Sequence, residues 1–179
     1  MKIAIIDYGA GNVQSVLFAL ERLGFEGIVT NDWNTIKKAD KVIFPGVGEA
    51  SSAMKMLVDS GLDVLIPTLK QPVLGICLGM QIQATDSSEV PLKVAGEVIK
   101  CLDIVPSHVV KIPDTGLRLP HMGWNTVHHT DHPLFDGIKQ DAYFYFDHSF
   151  AMQVGQYTIG TTEYGVPFSS AIGRDNFMG

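Results

Sequence analysis

Apolar residues along this chain follow two rhythms, and each rhythm predicts a different element. Three unbroken runs, Ile3–Ile6, Val42–Phe44 and Val73–Ile76, are too short for helices and too continuous for half-exposed strands. They predict strands of a parallel sheet covered on both faces. A further strand is expected around Gly27–Thr30. Between the first two strands, Val13, Val16, Leu17, Leu20 and Leu23 recur at helical spacing, with Asn12 placed to cap and Gly24 to stop; this predicts a helix over 12–23. After Gly48, the positions Ala50, Ala53, Met54 and Leu57 predict a second helix ending near Gly61, and Leu62–Leu69 continues helical with Pro67 kinking it or opening a fresh turn. The alternation of strand and helix indicates an α/β fold, doubly wound around a mostly parallel central sheet with flanking helices. Beyond Ala84 the texture changes to short β-branched and aromatic segments, His108–Ile112, Met122–Val127, Tyr143–Ser149 and Tyr157–Thr162, which predict a mixed or antiparallel extension. With no repeat and no linker, residues 1–179 are expected to form one domain.

Charge narrows the partners. Thirteen basic residues against nineteen acidic ones leave a net charge of −6, and no basic cluster is longer than Lys37-Lys38. A nucleic-acid backbone is therefore not an expected partner. The apolar run before Asp7 is too short for a signal peptide and no stretch reaches bilayer length, so the expectation is a cytoplasmic protein without membrane contact. Two cysteines, Cys77 and Cys101, in a reducing compartment argue against a structural disulfide and leave room for a working thiol.

Each of the three apolar runs ends in a glycine-bearing turn: Asp7-Tyr-Gly-Ala-Gly11, Pro45-Gly-Val-Gly48 and Gly75-Ile-Cys-Leu-Gly79. In an open α/β sheet, sites assemble at the carboxyl ends of strands, so the three turns are candidates to meet in one crevice. The third has the form G-x-C-x-G. A side chain on so sharp a strand-to-helix turn is held above the sheet, and flanking glycines are needed where a Cβ would clash. A helix N-terminus below it favours a thiolate, and the N–H of Leu78 is placed to steady a developing oxyanion. Cys77 is thus read as a nucleophile, against the alternative of a small buried apolar residue. Gly46 and Gly48 allow the backbone to approach a ligand and turn an N–H toward negative oxygen, although an ordinary turn would also explain them.

Other constellations are weaker. Gly9-Ala-Gly11 lacks the third glycine, near Gln14, of a dinucleotide fingerprint, although Asp32 lies near the distance expected for its acidic residue. His128, His129 and His132 with Asp131 are dense in potential metal ligands but sit beside Pro133, and a solvated turn is the preferred reading; no metal and no cofactor is expected. Cys101 reads as packing. A base for Cys77 could come from His108, His121, His128, His129, His132 or His148. None stands in an arrangement that singles it out, and His148 is the most site-like.

Gly75-Ile-Cys-Leu-Gly-Met-Gln81 resembles the nucleophile elbow of the class I, triad-type glutamine amidotransferases, whose domain is flavodoxin-like, and Pro45-Gly-Val-Gly48 resembles their oxyanion strand. Asp7-Tyr-Gly-Ala-Gly-Asn12, Pro120-His-Met-Gly-Trp-Asn125 and Tyr143-Phe-Tyr-Phe-Asp-His-Ser149 are similar to the branch of glutaminase subunits that serve a cyclase in histidine biosynthesis. The resemblance implies that Cys77 attacks L-glutamine, releasing ammonia and then glutamate. It implies an oxyanion site from Gly46, Val47, Gly48 and Leu78, and substrate binding by Gly48, Gln81, His148, Ser149 and Phe150. It further implies a cyclase subunit of (β/α)₈ barrel form that uses the ammonia to make imidazole glycerol phosphate, contacted near Asn12, His121, Trp124 and Tyr145.

The same resemblance places the family's catalytic histidine and glutamate in a His-Pro-Glu run after a strand like Asn176–Gly179, beyond the residues in hand. The expectation is a domain lacking that end, with little activity of its own and with less cover on one side of its sheet. Two rivals remain at this point: a non-hydrolysing binding module of the same fold, and an unrelated cysteine hydrolase using Cys77 with His148.

Overall fold

A computed structural model describes residues 1–90 and 97–179. Its parallel part is built on five strands in the order β2 (Gly27–Thr30), β1 (Ile3–Ile6), β3 (Lys41–Gly46), β4 (Val73–Cys77) and, from the other end of the sequence, β13 (Phe177–Met178). The chain leaves β1 toward β2 on one side and returns to β3 on the other, so the topological switch lies between β1 and β3. The carboxyl ends of these strands carry Tyr8 and Gly46.

The apolar run of β1 is continuous because both of its faces are covered. Ile3 and Ile5 pack with Val13, Val16, Leu17 and Leu20 of α1 (Val13–Arg22). Ala4 and Ile6 belong to the main core, with Ile36 of α2 (Trp33–Lys38), Ala53 and Leu57 of α3 (Ala50–Ser60) and Leu62 of α4 (Leu62–Leu65). Asn12 caps α1 as expected, its Oδ1 accepting from Ser15 N–H at 3.1 Å. Gly61 ends α3 at φ +71°, a conformation that favours glycine. Past α4 a 3-10 turn, Ile66–Thr68, takes Pro67, so the Leu62–Leu69 segment is two short pieces and not one helix.

β4 departs from the expectation of cover on both faces. Val73 and Gly75 are buried, while Ile76 is 40% exposed and turns toward a cavity. The alternation of a strand separates the two sets.

The second half is the mixed extension. Beyond β13 the path runs through β12 (Pro167–Arg174), β10 (Phe150–Met152), β7 (Val105–Lys111), β5 (Ala84–Ser87) and β6 (Ile99–Lys100). A side branch joins β12 to β11 (Thr158–Glu163), β11 to β8 (His121–His129) and β8 to β9 (Ala142–His148). In the β8–β9 ladder Trp124 opposes Tyr145 and His121 opposes His148. This branch folds over the carboxyl end of the parallel strands, which brings β9 to the same cavity as the end of β4. Among the described residues no helix is long and apolar enough to cross a membrane.

Candidate active site

Cys77 ends β4 at φ 57° and ψ −115°, a left-handed conformation that a residue with a Cβ adopts only at a cost. The next element, α5 (Leu78–Gln81), begins at once. Three glycines make this reversal possible. A Cβ on Gly79 would lie 1.8 Å from the carbonyl oxygen of Phe44, one on Gly75 2.5 Å from the carbonyl oxygen of Gly79, and one on Gly46 2.6 Å from the nitrogen of Gly79. The elbow and the end of β3 are therefore locked against each other backbone to backbone. Gly46 is the ladder partner of Cys77, so the oxyanion segment stands beside the sulfur.

A cavity of about 430 Å³ opens from Cys77. Its lining is mainly apolar, with Ile76, Phe144, Phe146, Phe150 and Phe168 among the contributors, and Gln81, Asp147 and His148 supply polar groups. Gln81 Nε2 donates to the carbonyl of Phe150 at 2.9 Å, fixing the amide at the cavity wall. Of the other residues expected to bind substrate, Ser149 and Gly48 do not line the cavity. Gly48 is exposed at φ +94° on the loop past Gly46, with Val47 also exposed.

The thiolate expected from a helix N-terminus is not favoured by the net field. Cys77 is open to the cavity, yet desolvation by the cavity walls raises its pKa, opposed by the Leu78 N–H and reinforced by the carboxylates of Asp147 and Glu89. The physical reason is chiefly that burial penalises the charged thiolate; the single Leu78 N–H at the start of the four-residue α5 does not offset it, and the negative charges of Asp147 and Glu89 add to it. Glu89 was not visible as a site residue in the sequence. Its Oε2 accepts from Ala50 N–H at 2.9 Å, capping α3 from 39 residues away, and burial raises its pKa.

The histidines divide clearly. His148 Nδ1 lies 2.9 Å from the carbonyl of Phe150 and therefore donates, leaving Nε2 to accept. His121 Nδ1, 2.9 Å from that Nε2, donates to it, and His121 Nε2 faces Asn125 Nδ2 at 3.4 Å. Both ring nitrogens of His148 are thus occupied. It is not poised as a base for Cys77, which removes the basis of the unrelated-hydrolase reading. His121 is 3% exposed and stacks on Tyr164 and Phe146, so the expectation of a partner contact at this side chain is corrected: it supports the sheet from inside. Desolvation lowers the pKa of both rings, in keeping with a neutral pair.

Asn12, Trp124 and Tyr145 are exposed, and Trp124 stands edge-on to Tyr145 with ring centroids 5.7 Å apart. The dense histidine group does not converge on a metal. His128 faces Asp141, His129 stacks on Phe135, and His132 Nδ1 accepts from Leu134 N–H. Among the described residues no group of three or more metal-ligating side chains occurs.

The family model for class-I glutamine amidotransferases matches residues 4–176. The chain is 50% identical over 178 residues to the imidazole glycerol phosphate synthase subunit HisH of Vibrio cholerae, covering 99% of this chain and 87% of that protein. It is 51% identical over 176 residues to the subunit of the same name from Mannheimia succiniciproducens, covering 98% and 87%. Among solved structures, a GMP synthase component from Thermoplasma acidophilum superposes with a TM-score of 0.71 at 16% identity, covering 99% of this chain and 81% of that one. PurLQS from Thermotoga maritima superposes with a TM-score of 0.66 at 15% identity, covering 99% and 84%, a likeness of fold alone.

Proposed function

The chain belongs to the class I glutamine amidotransferases, and from that membership we propose that it is the glutaminase subunit of an imidazole glycerol phosphate synthase, with Cys77 as its nucleophile. The observation that carries the chemistry is the strained Cys77 turn, locked by glycines beside Gly46 and open to a cavity of about 430 Å³.

In this reading the carboxamide of L-glutamine enters the cavity with its carbonyl carbon at Cys77 Sγ. The S–C bond forms, and the carbonyl oxygen takes the negative charge. Leu78 N–H and the Gly46–Gly48 backbone donate to it, the kind of preorganised stabilisation that is worth most in a dry site. Collapse breaks the C–N bond and releases ammonia, leaving a γ-glutamyl thioester that water hydrolyses to glutamate and free thiol. Gln81, with the His148-Ser149-Phe150 segment, holds the substrate's polar end.

Base catalysis is not supplied by any side chain that hydrogen-bonds to the sulfur among the described residues. β13 runs parallel to β4 with Met178 level with Leu74, so residues extending that strand past Gly179 in the same register would come level with Cys77. A His-Pro-Glu run of the family's kind would there meet the thiol.

Residues 1–179 are taken as one domain, a reading supported by the single hydrogen-bonded sheet that connects the strands of the described residues. The partner is a cyclase subunit of (β/α)₈ barrel form, docked as a heterodimer on the face that carries Asn12, Trp124 and Tyr145, and the assembly, a lyase that takes up the ammonia, is cytoplasmic. The test is glutamate production from L-glutamine, in the presence of a relative's cyclase, by a form that carries a His-Pro-Glu run after Gly179, since residues 1–179 by themselves are expected to show little turnover. Turnover that Cys77→Ser abolishes supports the reading. Tight cyclase binding with no glutamate from a form carrying the His-Pro-Glu run would establish the binding-module rival.

A further inference from the structure

Among the described residues four buried side-chain polar atoms have no hydrogen-bond partner: Tyr8 Oη, Gln83 Oε1, His129 Nε2 and Ser170 Oγ. Tyr8 Oη is the one that stands at the oxyanion segment. Tyr8 is 6% exposed, and its ring packs edge-on against Phe44 with centroids 5.5 Å apart. A Cβ built on Gly46 would lie 2.8 Å from the Tyr8 hydroxyl and 2.9 Å from Leu78 Cβ. The hydroxyl therefore points into the gap between the two segments whose N–H groups face the developing charge. Burial raises the phenol's pKa, with the neighbouring Cys77 charge as a second cause, so the group stays a hydroxyl at any working pH. A dry hydroxyl without a partner is a cost to folding that the resting site does not repay.

Strand order explains what it is for. β3 lies between β1 and β4, so the backbone of Tyr8, just past β1, stands on the side of β3 away from Cys77, while its side chain carries the hydroxyl over Gly46 toward Leu78. In a trans peptide the N–H and C=O point opposite ways. Turning Val47 N–H toward the sulfur side turns the Gly46 carbonyl toward the Tyr8 side. We infer that Tyr8 is a positioning residue of the oxyanion segment: when Cys77 carries a tetrahedral adduct, the Tyr8 hydroxyl donates to the Gly46 carbonyl and holds Val47 N–H on the charge. The inference rests on the glutaminase reading.

Tyr8→Phe in the 179-residue chain tests it, with two probes of Cys77. A chloroketone analogue of L-glutamine needs its carbonyl polarised before the sulfur displaces chloride and the C–S bond forms. Iodoacetamide samples the thiolate without an oxyanion. The expected result is chloroketone labelling slowed about tenfold, less than the loss of a direct oxyanion donor. Its half-saturating concentration and the iodoacetamide rate stay within about twofold, and the melting temperature is unchanged or higher because no native hydrogen bond is lost.

Equal chloroketone rates in the two proteins overturn the role of Tyr8. So does an equal slowing of both reagents, which would mean that the hydroxyl acts on the sulfur itself, or a fall in melting temperature alongside lost labelling, which would make Tyr8 merely structural. A wild type that reacts no faster with the L than with the D chloroketone defeats the glutaminase reading, and this inference with it. A wild type with that preference, matched by Tyr8→Phe, defeats only the inference.

Discussion

Gly79→Ala is the sharpest perturbation of the elbow. The added Cβ would sit 1.8 Å from the carbonyl oxygen of Phe44, 2.8 Å from its carbon and 3.2 Å from the carbon of Pro45. Ordinary C···O contacts begin near 3.3 Å, so the two backbones must part by about 1.5 Å. No flexible side chain absorbs the shift, because Phe44 is in the β3–β4 ladder opposite Gly75. Overpacking a core costs about 1–3 kcal/mol when side chains can yield, and a rigid backbone overlap belongs at the upper end or beyond, about 3 kcal/mol or more. At about 2–4 °C per kcal/mol for a domain of this size, the melting temperature should fall by roughly 6–12 °C. Gly155→Ala is the control, since its Cβ would meet nothing within 4 Å, and it should stay within about 0.5 kcal/mol of the wild type. Thermal and urea unfolding followed by circular dichroism measure both. A Gly79→Ala protein within about 1 kcal/mol of the wild type, with Cys77 still reactive toward the chloroketone, would refute the claim that the elbow is locked backbone to backbone.

Three further outcomes are expected. The Cys101 thiol is pushed up to about 12 by burial, so Cys101→Ser should leave glutamine-directed labelling within about twofold while Cys77→Ser removes it, as intact mass will show. His121 and His148 are held neutral with folded pKa values below the ordinary histidine value near 6.5, so their contribution to stability is present above about pH 6.5 and lost as pH falls through the depressed values. The urea midpoint should drop between pH 7 and pH 5, and an equal drop in His121→Asn/His148→Asn would contradict that assignment. Trp124, 69% exposed beside Tyr145, should act as an anchor: Trp124→Ala is expected to cost about 2 kcal/mol, roughly thirtyfold in affinity for the cyclase by titration calorimetry, with the melting temperature unmoved.

The parallel half of the sheet was legible because its physics is local. Ile3–Ile6 is apolar at every position, and the structure covers both of its faces. Asn12 and Gly24 bracket the first helix, and Ala50, Ala53 and Leu57 bury one face of the next. Helix α2 escaped because it is six residues long with one buried apolar side chain, Ile36, too little for a period to show. β12 was missed, and β13 was reached only through the family resemblance, because their pairing with β10 and β4 is set by strands distant in the chain. At the site, the G-x-C-x-G elbow and its proximity to Gly46 followed from backbone sterics. The thiol's upward shift did not, since the burial that chiefly causes it, and the lesser charges of Asp147 and Glu89, come from other elements. Parity was the overlooked signal for His121: it and Trp124 are three apart on β8 and so face opposite sides, one buried and one exposed. Tyr8 follows the apolar run and resembles a core aromatic in every local respect; only its stranded hydroxyl distinguishes it.

The most direct measurement is peptide mapping after the chain reacts with the chloroketone analogue of L-glutamine, with and without excess L-glutamine. A single adduct on Cys77, suppressed by L-glutamine and not by D-glutamine, is the predicted result. Label on Cys101, or label on Cys77 indifferent to L-glutamine, would contradict the assignment of this turn as a glutamine-directed nucleophile.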